Sequence, residues 1–385
     1  PTQSCPIANT KQPQGTDVNT QAAELPATSS LSTRTPFVQL VEKEKLFLAL
    51  LASALIFIGI VYPYASLARW VGFAIAGYSA VANDSVQTLG TFIGSNRDRP
   101  WWQLWMWIGG IFMLTVGYSW YTYSGDVTFQ RLASKGFETT PMSFTFLQVA
   151  APLVLLGLTR GGIPVSTTLL LLSCFAAEPA SIGAVLTKSF LGYGVAFGVA
   201  IVVWLSVSKM IDRWQDGPAA KPWRVAQWCT TGILWSVWLM QDMSNVAVFL
   251  PRSLSVVELL AFAGIIFFGL GFMFKMGGER VQKVVDEKAR VTDVRAATIV
   301  DLVYAAILYV FKMESNIPMS TTWVFIGLLA GREIAMTIRG ASGGTKLKHA
   351  FRLAGKDLFY VSIGLVVSVA IAFAANASLT QSLTE

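Results

Sequence analysis

Charge is scarce in this chain. Asp, Glu, Lys and Arg make up 13% of its 385 residues, about half of the ~25% usual in a soluble domain. Hydrophobic residues reach 54%, with a mean hydropathy of +0.55. Histidine is scarcer still: His349 stands alone, in a basic stretch, which leaves little room for a site built on histidine catalysis or histidine metal ligands. Cys5, Cys174 and Cys229 show neither metal-ligand nor disulfide spacing. No nucleophile–base pair is visible, so the chain does not read as an enzyme and no cofactor is expected. The net charge of +7 is spread over segments between apolar runs, as a cytoplasmic excess of Lys and Arg would place it, and this points away from nucleic acid.

What is there is a set of long apolar blocks. Residues 46–62, 105–123, 185–208, 254–274 and 358–376 are each long enough to cross, or nearly cross, a bilayer. The chain is expected to be an all-α polytopic membrane protein. Residues 1–36 are polar and rich in Thr, Ser, Gln and Pro, and read as a disordered cytoplasmic tail without the build of a signal peptide. Residues 37–65 read as a retained transmembrane anchor.

Two short patterns occur twice, in the same order. Asn83-Asp84-Ser85-Val86-Gln87 is answered by Gln241-Asp242-Met243-Ser244-Asn245, each amide-acid-x-x-amide. Ile163-Pro164-Val165-Ser166-Thr167-Thr168 is answered by Ile317-Pro318-Met319-Ser320-Thr321-Thr322. Asp84 precedes Ser166 by 82 residues, and Asp242 precedes Ser320 by 78. A duplicated unit carrying carboxylates and hydroxyls within apolar sequence is the mark of a secondary transporter with internal repeats. The expected repeats are 66–208 and 228–376, joined by a cytoplasmic linker 209–227 and followed by a tail 377–385.

Charge gives the loops their sides. Loops 209–227, 275–296 and 331–357 are net positive and read as cytoplasmic, whereas 124–143 is balanced and reads as external. Loops 124–143 and 275–296 hold equivalent places in the two repeats, so opposite sides mean an inverted repeat. Around the Ser-Thr-Thr motifs, 144–158 and 164–176 are split by Arg160-Gly161-Gly162-Ile163-Pro164, and 296–312 and 318–330 have the same build. Stretches of about 14 residues reach only ~20 Å, short of a ~30 Å hydrocarbon core, so each pair is expected to form a re-entrant hairpin. The total is seven crossings plus two hairpins, in a plasma (inner) membrane, with the N-terminus cytoplasmic and the C-terminus external. The acidic motifs, within 70–95 and 229–250, are expected on two broken helices unwound around the aspartates.

In Pro-x-Ser-Thr-Thr the proline stops the incoming chain and a hydroxyl caps the following helix. Hydroxyls beside free helix N–H groups suit a tetrahedral oxyanion. Ser166, Thr167, Thr168, Ser320, Thr321 and Thr322 are therefore substrate-binding candidates. Asp84 and Asp242, with Asn83 and Asn245, offer the oxygen ligands that hard cations prefer, so they are candidates for Na⁺, or for protonation in H⁺ coupling. Gln87 and Gln241 complete the amide set. Arg160 and Glu314 each stand four residues before a motif proline with opposite charge; Arg160 contacts the anion, pairs with a carboxylate or reaches towards the interface. Lys188, near a helix end, is expected to snorkel. Asp301 stays ambiguous.

These paired motifs resemble those of the inorganic phosphate transporter (PiT) family, which includes related sulfate permeases; the resemblance covers about residues 70–376. It implies an inverted-repeat fold with two re-entrant hairpins, and movement of phosphate, or alternatively sulfate, with Na⁺ or H⁺. It places Asp84 and Asp242 at the family's aspartates, Asn83, Gln87, Gln241 and Asn245 at its amide positions, and the two Ser-Thr-Thr triplets at its hydroxyl motifs. Gln87 and Gln241 stand where the family has Asn, and Leu169 and Trp323 stand where it has His. An uncoupled anion channel or a sensor is the alternative these departures leave open. The partners implied are the inorganic anion and the lipid bilayer, with a homodimer as an open possibility.

Overall fold

The computed structural model describes residues 36–133, 136–214, 219–288, 293–314, 317–340 and 347–376. Apart from Pro36, the tail 1–36 and the end 377–385 lie outside the described residues. Among the described residues there is no strand. Twelve α-helices follow one another: α1 Pro36–Val61, α2 Ala65–Thr88, α3 Gly90–Ser95, α4 Trp101–Thr122, α5 Phe146–Arg160, α6 Thr167–Leu170, α7 Pro179–Trp214, α8 Lys221–Ala247, α9 Val256–Lys288, α10 Val294–Glu314, α11 Thr321–Ile338 and α12 Leu347–Ala375. Two 3₁₀ turns, Arg131–Ala133 and Leu172–Phe175, lie between them. The chain divides into one unit ending at Leu50 and another from Leu51 onward; the second holds α2 to α12.

Among the described residues, six helices are long and apolar enough to cross a membrane: Glu44–Val61 of α1, Pro179–Val207 of α7, Val256–Lys275 of α9, and α10, α11 and α12. The chain is a multi-pass membrane protein. This set differs from the seven crossings read from the sequence. It omits α2, α4 and α8, and it includes both limbs around the second Ser-Thr-Thr motif. The omission has a chemical cause, because α2 and α8 carry the amides, acids and hydroxyls of the motifs, and α4 is rich in Trp and Tyr.

The two hairpins are unequal. α5 has 15 residues, about 22 Å. It opens with a capping box, in which the Thr145 Oγ1 accepts from the Gln148 N–H at 3.2 Å and the Gln148 Oε1 accepts from the Thr145 N–H at 2.9 Å. It ends at Gly161-Gly162, where Gly162 has φ +74°, a conformation that costs glycine little. The returning limb is broken into the single turn of α6 and the 3₁₀ turn Leu172–Phe175. In contrast, α10 and α11 have 21 and 18 residues, about 31 and 27 Å. The short limbs expected at 296–312 and 318–330 are therefore corrected to two helices of near-spanning length. The charged loops are also largely helical, since α7 runs to Trp214, α8 begins at Lys221 and α9 runs to Lys288. Lys, Arg and Glu are good helix formers and do not end a helix where its apolar part stops.

The helices are continuous through both aspartates, which corrects the expected unwinding. α2 holds helix to Thr88 and turns only at Leu89, and α8 holds helix to Ala247. On α2 the hydroxyls are spent within the helix: Ser85 donates to the Val81 carbonyl and Thr88 to the Asp84 carbonyl at 2.9 Å.

The most extensive helix pairing is α7 with α11, followed by α8 with α10. Gly327 and Gly331 permit the first. A Cβ at Gly327 would lie 2.4 Å from the Tyr193 carbonyl oxygen, and one at Gly331 would lie 2.3 Å from that of Phe197. Two glycines four apart thus let backbones approach as membrane helices commonly do. Gly331→Ala is expected to force these backbones apart and destabilise the protein by roughly 1–3 kcal/mol. Thermal unfolding in detergent checks this; an unchanged midpoint would contradict so close an approach.

Candidate functional site

The motif residues come from four separate elements and meet in the interior. Asn83, Asp84 and Gln87 lie on α2, and Gln241, Asp242 and Asn245 on α8. Ser166, Thr167 and Thr168 start α6, and Ser320, Thr321 and Thr322 start α11. All twelve are buried, none more than 8% exposed.

Each motif serine is a helix cap. The Ser166 Oγ accepts from the Leu169 N–H at 3.1 Å, and the Ser320 Oγ accepts from the Trp323 N–H at 3.4 Å. The second threonine of each motif reaches across to the other tip. Thr168 donates to the Met319 carbonyl at 3.0 Å, and Thr322 donates to the Val165 carbonyl at 3.3 Å. These are the same two motif positions exchanged, so the contact is reciprocal.

The carboxylates are held unequally. Asp242 accepts from Asn245 at 2.6 Å and from Thr168 at 3.3 Å on Oδ1, and from Thr321 at 2.6 Å on Oδ2. It is thereby bonded to hydroxyls of both tips. Asn245 also donates to Thr167 at 3.0 Å and to Thr168 at 3.1 Å. On the other side, Asp84 accepts on Oδ1 from Asn83 at 2.7 Å. Asn83 in turn donates to the Val165 carbonyl at 2.8 Å and accepts from Thr159 at 2.9 Å. Gln241 donates to the Leu308 carbonyl at 3.0 Å.

Four buried oxygens are left without a donor among the described residues: Asp84 Oδ2, Gln87 Oε1, Gln241 Oε1 and Asn245 Oδ1. Every other buried side-chain atom in that condition is a nitrogen. All four oxygens belong to the duplicated acid–amide motif. A buried acceptor without a donor costs about 1–3 kcal/mol, and a bound cation or a proton offsets that cost. The oxygen-only donor set matches a hard cation such as Na⁺.

Arg160 ends α5 with an exposed side chain, outside this buried group. The buried arginine beside the site is Arg131, which sequence reasoning counted only as loop charge. Its Nε donates to the Met240 carbonyl and its Nη1 to the Ile317 carbonyl, both at 3.4 Å, so it touches the residue before Gln241 and the residue before Pro318. The turn that aims it inward is built by Asp126, which accepts from the Thr128 N–H, the Thr128 hydroxyl and the Gln130 N–H, each at 2.7 Å. Burial pushes the Arg131 guanidinium down to about 10, against the attraction of Asp242, so it stays charged at neutral pH. Lys188 is corrected as well. It does not snorkel; it is buried and its Nζ donates to the same Ile317 carbonyl at 2.7 Å. Asp301, on α10, accepts from Thr91 at 2.6 Å and Thr231 at 2.5 Å and ties α3 and α8 together. At the positions expected to hold histidine, Leu169 is buried, and Trp323 is buried with its ring 4.9 Å from that of Phe190.

Removing the Thr168 hydroxyl takes a donor from the buried Met319 carbonyl, whereas the Val165 carbonyl keeps Asn83 when the Thr322 hydroxyl is removed. Thr168→Val is expected to cost about 1–3 kcal/mol and Thr322→Val less, and the double variant is expected to depart from the sum, because both bonds join the same two tips. A double-mutant cycle on thermal unfolding reads this coupling; strict additivity would mean the two tips do not act as a unit.

No protein-family model and no curated protein sequence matches the chain. Among solved structures it is similar to one titled "The sodium-dependent phosphate transporter", at 16% identity and a TM-score of 0.42, over 84% of this chain and 98% of that one.

Proposed function

We propose that the protein is a secondary transporter that carries a small inorganic oxyanion of the phosphate type together with a cation, Na⁺ or H⁺. The observation that carries this reading is the confinement of the donor-free buried oxygens to the duplicated acid–amide motif, directly against two hydroxyl-bearing helix starts. An ionised carboxylate inside a membrane protein is expensive and is retained for function. Two of them beside an oxyanion would repel it. A cation held by Asp84, Gln87, Gln241 and Asn245 removes that repulsion, so anion binding requires the cation, and this requirement is the coupling.

Ser166, Thr167, Thr168, Ser320, Thr321 and Thr322 supply the anion's donors. α11 contributes the larger helix dipole, because α6 is a single turn of four residues. In the arrangement seen, Thr168 and Thr322 spend their hydroxyls on carbonyls of the opposite tip. Binding therefore exchanges these tip-to-tip bonds for bonds to the anion. Parting of the tips toward one side or the other then gives alternating access across an inverted pair of repeats.

Uptake of radiolabelled phosphate and sulfate into proteoliposomes, under an inward Na⁺ or H⁺ gradient, tests the reading. Accumulation of one anion is expected to depend on one of the gradients. Asp84→Asn is expected to abolish it, because the substitution removes the charge that holds the cation. Equilibration without accumulation would replace the transporter with a channel, and no flux of either anion would refute the oxyanion assignment.

A further inference from the structure

Three basic side chains gather at the mouth of the second hairpin tip, outside the motif cluster. Arg131 and Lys188 converge on one carbonyl, that of Ile317, at 3.4 and 2.7 Å. Lys312, in the last turn of α10, is partly buried. Each of the three lies within electrostatic reach of the other two. The acids facing them are Glu314 toward Lys188 and Asp242 toward Arg131. The cluster is graded: Glu314 is exposed, Lys312 half-buried, Lys188 8% exposed, and Arg131 fully buried beside the residue that precedes Gln241-Asp242. It therefore runs from the surface to the site.

Gathering three like charges in a low-dielectric interior is costly, and an anion among them recovers that cost. The arrangement is also one-sided. At the first tip, the position equivalent to Lys312 is Leu158 and that equivalent to Glu314 is the exposed Arg160. A purely structural ion-pair network shared by both repeats would show at both tips. The loop that carries Arg131 lies within 124–143, whose charge balance marks the external side.

We propose that Arg131, Lys188 and Lys312 form an anion-capture station that takes a phosphate- or sulfate-type group at the outer mouth before it reaches the motif threonines. Its role in transport rests on the proposed function; its ability to bind an anion does not. Because its three basic side chains outnumber the two acids facing them, it binds without the coupling ion, unlike the central site.

The test is the thermal-unfolding midpoint of the full chain in phosphatidylcholine nanodiscs, titrated with inorganic phosphate and with sulfate as choline salts, in gluconate rather than chloride. Wild type is expected to be stabilised in the absence of Na⁺. Lys188→Gln/Lys312→Gln is expected to weaken the apparent affinity about tenfold or more, and Lys188→Arg/Lys312→Arg to restore it. Equal affinity in wild type and the Gln pair, or no stabilisation of wild type without Na⁺, overturns the station. Stabilisation seen only when phosphatidylglycerol replaces phosphatidylcholine also overturns it, since the phosphate group would then belong to lipid. Anion binding that follows this pattern without gradient-driven uptake would keep the station and remove the transporter reading; uptake with unchanged affinity in the Gln pair would do the reverse.

Discussion

The exchange of hydroxyl-to-carbonyl bonds between the two hairpin tips is the contact on which the rest of the structure depends. Thr168 reaches Met319 and Thr322 reaches Val165, and all four residues are buried. Only with the tips in this register does Asp242 receive Thr168 from one side and Thr321 from the other. Only then does Asn245 bridge to both threonines of the first tip. The glycines of α11 serve the same end, since close approach to α7 sets where Ser320 and its neighbours lie.

Around this contact, polar groups are paired with a definite bias. The amide N–H groups of Asn83, Gln241 and Asn245 have acceptors, whereas oxygens of the acid–amide motif have a deficit of donors. A buried deficit of that sign favours a cation or a proton, and basic residues close by favour an anion. Arg131 stands between the two, touching the backbone before each motif of the second repeat. Two opposite preferences a few residues apart are the electrostatic basis of the proposed coupling.

The unequal hairpins matter for the same reason. The first returns as a single α-turn and a 3₁₀ turn, and the second as a full helix of 18 residues. Both begin with a serine cap, so the local chemistry of Ser-Thr-Thr is repeated while the dipole behind it is not. The basic residues follow the second tip as well. Sequence duplication has therefore produced similar binding groups on supports of different strength.

The all-helical membrane class was legible in the scarcity of charge and the apolar blocks, because the cost of exposing polar groups to lipid acts on composition directly. Asp84, Asp242 and the two Ser-Thr-Thr triplets were legible too, since polar residues recurring within apolar sequence have few other uses. Side-chain partners were not. Lys188 and Arg131 acquire their meaning from one carbonyl, at Ile317, that is 129 and 186 residues away in the chain, and no local pattern encodes such a distance. Arg160 looked equivalent to Glu314 by spacing, yet α5 ends so that its side chain faces outward. The helices also stay wound through both aspartates. The sequence by itself determined which residues are too polar to be idle in a membrane. Tertiary structure decided which of them meet, because burial and hydrogen-bond partnership are set by helices that pack across the chain and not by neighbours along it.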